Sequence, residues 1–267
     1  MKVVKANGVH LHYADEGIRN GYPIVFSNSL GTDFRIWDRV IELMPKTFRF
    51  IRYDKRGHGL SSCPDGPYSV SELAADCAAL LEQLEVDQCV FVGLSIGGLT
   101  AQELALRQPD LIKAAVLSNT GARIRDAKFW QSRIDSVRSG RLSEISDSVF
   151  ERWFSARFRE ERPEELEGWR AMLTRTTVEG YAGCCEAIMT ADYSGAIGTL
   201  DMPVQLIGGS EDGATPPDLV QWTASLVRNA EVRIINGAGH LPCIDSAEEY
   251  VDCITNFLKN SGIPADA

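Results

Sequence analysis

The sequence predicts an α/β fold: a mostly parallel sheet flanked by helices, with a helical cap inserted into it. Three observations carry this expectation. Short apolar runs of four to eight residues alternate with amphipathic helical stretches, the pattern of strands buried on both faces. One run, Val90–Leu94, breaks into Gly93-x-Ser95-x-Gly97 and then turns helical, a strand–turn–helix junction. Residues 122–196 interrupt the alternation with helical spacing and few strand-like runs. The expected organisation is therefore a core of residues 1–121 and 197–267 with a cap of residues 122–196.

The elements follow in order. Val9, Leu11 and Tyr13 alternate with His10 and His12, a half-buried strand whose exposed face carries both histidines. Ile24-Val-Phe is a short buried strand that runs into the small, turn-forming residues Ser27-Asn-Ser-Leu-Gly31. Arg49–Tyr53 is the next strand, ending at Asp54-Lys-Arg-Gly-His-Gly59, which lacks the spacing and the lysine–serine pair of a phosphate-binding loop. His58 there reads as scaffold. Ser71–Leu84 places Leu73, Cys77, Leu80, Leu81 and Leu84 on one helical face, with Ser71 as N-cap. Further strands are expected at Cys89–Val92, Ala114–Leu117, Pro203–Gly209 and Val232–Ile235. A closing helix over Ala247–Leu258 turns Tyr250, Val251, Ile254, Phe257 and Leu258 inward.

Composition narrows the function classes. At 267 residues the chain forms one large or two smaller domains, and 44% hydrophobic with 24% charged residues is ordinary for a globular protein. A formal net charge of −10 argues against a nucleic-acid surface and, more weakly, against an anionic membrane. No run approaches the roughly 18 apolar residues of a membrane span, and the Met1–Asn7 start lacks a signal-peptide core, so cytoplasmic residence is expected. The seven cysteines form no paired ligand motif and their odd count fits reduced thiols. No metal site is expected.

The chemistry centres on Ser95. A serine on a sharp strand-to-helix turn needs neighbours with almost no side chain, which Gly93 and Gly97 supply, and it sits at a helix N-terminus that favours developing negative charge. Its partners are expected in the chain order serine, carboxylate, histidine. Of His10, His12, His58 and His240, only His240 lies beyond Ser95, in the loop Asn236-Gly-Ala-Gly-His-Leu-Pro242. The carboxylate is expected after Pro203–Gly209, at Asp212, with Glu211 as runner-up; the shorter side chain before Gly213 suits a tight loop. The backbone N–H groups of Ile96 and Leu30 are the expected oxyanion donors. Cys243, near His240, is the weaker alternative nucleophile.

These motifs resemble the α/β-hydrolase superfamily over nearly the whole chain, through Asp54-Lys-Arg-Gly-His-Gly59, Gly93-x-Ser95-x-Gly97-Gly98, Asp212-x-x-Thr215-Pro216 and Gly237-Ala-Gly-His240. Within it, Ser27-Asn-Ser-Leu-Gly-Thr-Asp33, Leu117-Ser-Asn-Thr-Gly121 and Trp130 are similar to the 3-oxoadipate enol-lactonases. Asn28-Ser29 departs from the His-Gly pair that many α/β-hydrolases carry. The resemblance implies hydrolysis of 3-oxoadipate enol-lactone to 3-oxoadipate through an acyl-enzyme, in aromatic-compound catabolism, without a cofactor. A carboxylesterase, a C–C hydrolase of meta-cleavage products and a non-enzymatic ligand receptor on the same fold are the alternatives.

The cap is the expected source of specificity. Residues 122–196 hold 12 Lys and Arg, 11 of them Arg, against 13 Asp and Glu, whereas the rest of the chain has 15 against 24. A carboxylated lactone needs a cationic contact in an acidic protein. Trp130 is the expected pocket wall, and Arg133, about one helical turn later, the expected carboxylate contact.

Overall fold

The computed structural model describes residues 1–263. β1 (Lys2–Ala6) and β2 (Val9–Gly17) form a hairpin, followed by β3 (Pro23–Ser27), a 3-10 turn at Phe34–Trp37 and α1 (Asp38–Leu43). Then come β4 (Arg49–Tyr53), α2 (Val70–Gln83), β5 (Cys89–Leu94), α3 (Ile96–Arg107) and β6 (Ile112–Ser118). Five helices follow without an intervening strand: α4 (Ala127–Arg138), α5 (Ser146–Trp153), α6 (Ala156–Glu161), α7 (Pro163–Thr174) and α8 (Val178–Thr190). The alternation resumes with β7 (Val204–Gly209), α9 (Pro217–Leu226) and β8 (Glu231–Ile235), and ends with the short α10 (Pro242–Asp245) and α11 (Ala247–Asn260).

Among the described residues the eight strands make one sheet in the order β1-β2-β4-β3-β5-β6-β7-β8. The pairs β1–β2 and β2–β4 are antiparallel; every later pair is parallel. Period-2 alternation divides the parallel strands between two cores. Ile24, Phe26, Val90 and Val92 face a core built with Trp37, the α11 residues and the α4–α8 helices. Val25, Phe91, Ala115 and Leu117 face a second core with α2, α9 and the inner side of α3. No helix among the described residues is long and apolar enough to cross a membrane.

The register brings the carboxyl ends of the parallel strands to one edge. Ser27 pairs with Gly93, Leu94 with Ser118, Ser118 with Ile207 and Gly209 with Ile235. Loops leaving β3, β5, β6, β7 and β8 therefore meet above the same rim, where open α/β sheets bind their ligands.

Two local expectations need correction. α2 begins two residues earlier than its apolar stripe suggests: Ser69, not Ser71, is the N-cap, in a capping box with Glu72, and the Ser71 hydroxyl donates to Glu103 instead. His10 is exposed, but His12 is not on a solvated face. Its Nδ1 lies 2.8 Å from Asp54 Oδ2 and its ring stacks on Phe34 at 4.8 Å, because the loop after β3 folds over that side of β2.

The α8 helix seats directly on the core turn after β4. A Cβ on Gly180 would lie 2.1 Å from the Gly57 carbonyl oxygen, and one on Gly183 would lie 2.7 Å from the Tyr68 ring. The Thr177 hydroxyl donates to the same Gly57 carbonyl at 3.0 Å. Gly180→Ala is therefore expected to lower unfolding free energy by about 1–3 kcal/mol, as overpacking does, read as a reduced urea midpoint. Gly168→Ala, inside α7 where a Cβ meets nothing within 4 Å, is the control and should stabilise by about 0.5–1 kcal/mol through helix propensity alone.

Candidate active site

The junction of β5 and α3 holds Ser95 at φ 59° and ψ −115°, a conformation that L residues rarely adopt. The surrounding chain enforces it. A Cβ on Gly93 would lie 2.2 Å from the Gly97 carbonyl oxygen, and one on Gly97 would lie 2.1 Å from that of Ser27. Ser95 N–H donates to the Ser118 carbonyl at 2.9 Å, and the Thr120 hydroxyl donates to the Ser95 carbonyl at 2.7 Å. Both backbone groups of the serine are thus fixed by the β6 end, while its side chain lines a pocket shared with His240, Ser29 and Leu30.

Asp212 and His240 leave β7 and β8 and meet at 2.9 Å, Oδ2 to Nδ1, both almost completely buried. The carboxylate is well supplied with donors. Oδ1 accepts from the Ala214 and Thr215 N–H groups at 2.7 and 2.9 Å; Oδ2 also accepts from Asn119 Nδ2 at 2.9 Å and from the Thr215 hydroxyl at 2.7 Å. Burial by itself would raise the Asp212 pKa, but His240, Asn119 and Thr215 outweigh it and hold the carboxyl below its usual range. Nδ1 is therefore bound to a stable carboxylate, which leaves Nε2 as the free ring nitrogen facing the pocket; it approaches Ser29 Oγ at 3.4 Å.

The runner-up carboxylate does a different job. Glu211 Oε2 accepts from the Ala156 N–H at 3.1 Å, at the start of α6. Cys243 is buried, and burial pushes its thiol well up, away from thiolate character. Sequence reasoning missed Asn119, which bridges Asp212 and the Gly239 carbonyl. Its only signal was a polar residue directly after a buried strand, inside the Leu117-Ser-Asn-Thr-Gly121 segment; the structure places it at φ 45°.

The loop after β3 supplies backbone donors. Leu30 N–H has no acceptor among the described residues, and Ile96 N–H opens α3 without an intrahelical partner. The flanking groups are pinned. Lys55 Nζ and the Thr32 hydroxyl donate to the Ser29 carbonyl at 2.7 and 2.9 Å, Gly31 N–H donates to His58 Nε2 at 2.9 Å, and Asn28 Nδ2 donates to the Thr32 carbonyl at 2.8 Å. His58 is thus the scaffold residue that the sequence suggests, with a definite task.

Trp130 and Arg133 both line the pocket, and Arg125 and Arg152 join them. Trp130 Nε1 donates to the Ile124 carbonyl at 2.7 Å, which fixes its ring. Arg125 donates to the Gly213 carbonyl at 2.6 Å and stacks over Phe129 at 4.7 Å; Arg133 lies 5.6 Å from the same ring; Arg152 donates to Ser148 Oγ at 3.4 Å. None of the three forms an ion pair with a carboxylate among the described residues. Burial, reinforced by Arg133 and Arg125, lowers the Arg152 pKa. Three neighbouring guanidiniums without acidic partners make the pocket attractive to an anion. No cluster of three His, Cys, Asp or Glu side chains that could hold a metal ion occurs among the described residues.

Residues 22–247 match the model of the alpha/beta hydrolase fold family. The chain is 34% identical over 254 residues, 95% of each chain, to 3-oxoadipate enol-lactonase 2 of Acinetobacter baylyi. Among solved structures, the enol-lactonase from Burkholderia xenovorans LB400 superposes with a TM-score of 0.94 at 36% identity, covering 97% of this chain and 100% of that one. A hydrolase from Pseudomonas aeruginosa PA01 gives a TM-score of 0.92 at 32% identity, over 96% and 97% of the two chains.

The buried His58 makes the loop after β3 sensitive to acid. Desolvation, then the nearby Lys55 charge, holds its pKa well below 6.5, so it enters the folded state neutral. Below pH 6.5 the unfolded chain binds a proton there that the folded chain refuses. Stability is then lost as pH falls from 6.5 toward the depressed native value, by up to ~1.4 kcal/mol per pH unit. Urea midpoints measured from pH 8 to 5 are expected to show this slope, and His58→Gln, which retains an acceptor for Gly31 N–H, to flatten it.

Proposed function

The chain belongs to the α/β-hydrolase family, and we propose that within it this protein hydrolyses 3-oxoadipate enol-lactone to 3-oxoadipate through an acyl-enzyme on Ser95. The observation that carries the reading is the coincidence, in one pocket, of Ser95 and the Asp212–His240 pair with three arginines that lack acidic partners. The names of its relatives among the enol-lactonases support the same substrate.

The residues take the following roles. Asp212 holds His240 in the tautomer that leaves Nε2 unprotonated, and stabilises the imidazolium once it forms. His240 Nε2 takes the Ser95 hydroxyl proton as Oγ attacks the lactone carbonyl. The Leu30 and Ile96 N–H groups receive the oxyanion. Collapse breaks the ring C–O bond, and His240 returns its proton to the departing enol oxygen, leaving a linear acyl-enzyme. A water deprotonated by His240 then cleaves the ester and releases the acid. An enol departs more readily than an alkoxide, and its tautomerisation to a ketone opposes re-closure. Ser29, although within reach of Nε2, lies on an ordinary loop; Ser95 alone combines the strained turn with the helix N-terminus.

Ser95→Ala and His240→Ala are each expected to remove most turnover of the lactone, at least ~10³-fold, and the double variant to be little worse than either. Asp212→Asn should cost ~10³–10⁴-fold in kcat through the wrong imidazole tautomer, whereas Glu211→Gln and Ser29→Ala remain close to the parent. Near-parental turnover by folded Ser95→Ala would refute the acyl-enzyme.

The arginines are tested by substrate charge. Arg133→Ala should raise KM for the carboxylated lactone about tenfold or more while leaving a neutral p-nitrophenyl ester unaffected, because only the first loses a charge-assisted contact. Equal effects on both substrates would remove Arg133 from carboxylate binding.

A further inference from the structure

Lys55 is 3% exposed, yet its ammonium has no carboxylate within ion-pairing distance among the described residues. A buried cation without an ion pair is costly, and its location suggests what offsets that cost. Nζ donates to the Ser29 carbonyl oxygen at 2.7 Å. That carbonyl belongs to the peptide whose nitrogen is Leu30 N–H; Leu30 lines the pocket and its N–H has no acceptor among the described residues. Resonance couples the two ends of a peptide unit, so a positive charge on the oxygen makes the N–H more acidic and a stronger donor.

We propose that Lys55 is a positioning residue for the oxyanion site: its ammonium polarises the Ser29–Leu30 peptide and so strengthens Leu30 N–H toward the developing oxyanion. This rests on the reading that Ser95 forms the acyl-enzyme with Leu30 N–H as a donor. Lys55 is not among the residues that line the pocket and makes no hydrogen bond to Ser95. Its effect is electrical rather than mechanical, because the loop has other anchors that carry no net charge: Thr32 on the same carbonyl, His58 on Gly31 N–H and Asn28 on the Thr32 carbonyl.

The groups around Nζ make the device sensitive to alkali. Desolvation lowers the Lys55 pKa to about 8, against the raising influence of Cys184 from α8, Asp54 from its own turn and Asp33 from the loop after β3. His58, the remaining titratable neighbour, stays neutral under the same burial and the Lys55 charge. Burial raises the Cys184 thiol as well, to about 12. The donor is therefore charged below about pH 8 and neutral above it.

The test compares the parent, Lys55→Met and Lys55→Gln with p-nitrophenyl acetate and the enol-lactone from pH 6.5 to 9.5, with Ser95→Ala in parallel. The parent kcat is expected to fall along an alkaline limb centred near pH 8. Both variants should show kcat lowered about tenfold at pH 7, the loss expected for a charge-assisted hydrogen bond, with KM within about twofold and the limb gone. A trifluoromethyl ketone, which binds as an oxyanion, should lose affinity in step with kcat. Folded variants that keep the parental kcat, or keep the limb, would overturn the proposal. Should a variant not fold, a parent without any fall in kcat over this range overturns it equally. Turnover surviving in Ser95→Ala would instead overturn the acyl-enzyme reading, and the two failures are thus distinct.

Discussion

The site depends on one backbone constraint: Ser95 held at a positive φ between a buried strand and a buried helix. A non-glycine residue resists that conformation, so the fold must impose it. It does so by crowding. Gly93 and Gly97 allow the β5 end, the start of α3 and the Ser27 carbonyl to approach at distances that no Cβ would allow. Hydrogen bonds from and to the β6 end lock both sides of the serine peptide. What results is a hydroxyl presented at the pocket beside an uncapped helix N-terminus, with no side-chain freedom spent on aiming it.

The other components reach Ser95 because parallel strands end together. Ser29 and Leu30 follow β3, Asn119 follows β6, Asp212 follows β7 and His240 lies beyond β8, so five separate stretches of chain converge by register alone. Burial then raises the stakes. A carboxylate removed from water is tolerable only if its lone pairs are satisfied, and Asn119, Thr215 and the Ala214 amide satisfy those that His240 leaves. The net charge of −10 would repel an anionic substrate at long range. Arg125, Arg133 and Arg152 place positive charge at the pocket, and none of them forms an ion pair with a carboxylate among the described residues.

Much of this was legible in the sequence where local chemistry and chain order suffice. The elbow is written in glycine spacing, the histidine follows from being alone beyond Ser95, and strand positions follow from apolar runs; seven of the eight described strands fall where those runs predict, and β1 (Lys2–Ala6), an exposed edge strand with two lysines, is the one they do not mark. Three kinds of feature were not legible. Ser69 rather than Ser71 caps α2 because a capping box depends on Glu72 reaching back, which the apolar stripe does not register. His12 looked solvent-facing because period-2 alternation reports one strand, not the loop that covers it. Asn119 and Lys55 gain their place from partners distant in sequence, Asp212 and Ser29, and residue type alone does not name a partner.

Two serines share one imidazole: Ser29 Oγ lies 3.4 Å from the same His240 Nε2 that the proposed mechanism gives to Ser95. The most direct measurement is to label the protein with a fluorophosphonate, determine the stoichiometry by intact mass, and locate the adduct by peptide fragmentation. One adduct per chain is expected, on Ser95, with labelling suppressed in Asp212→Asn. An adduct on Ser29, or no adduct in a preparation that hydrolyses the lactone, would contradict it.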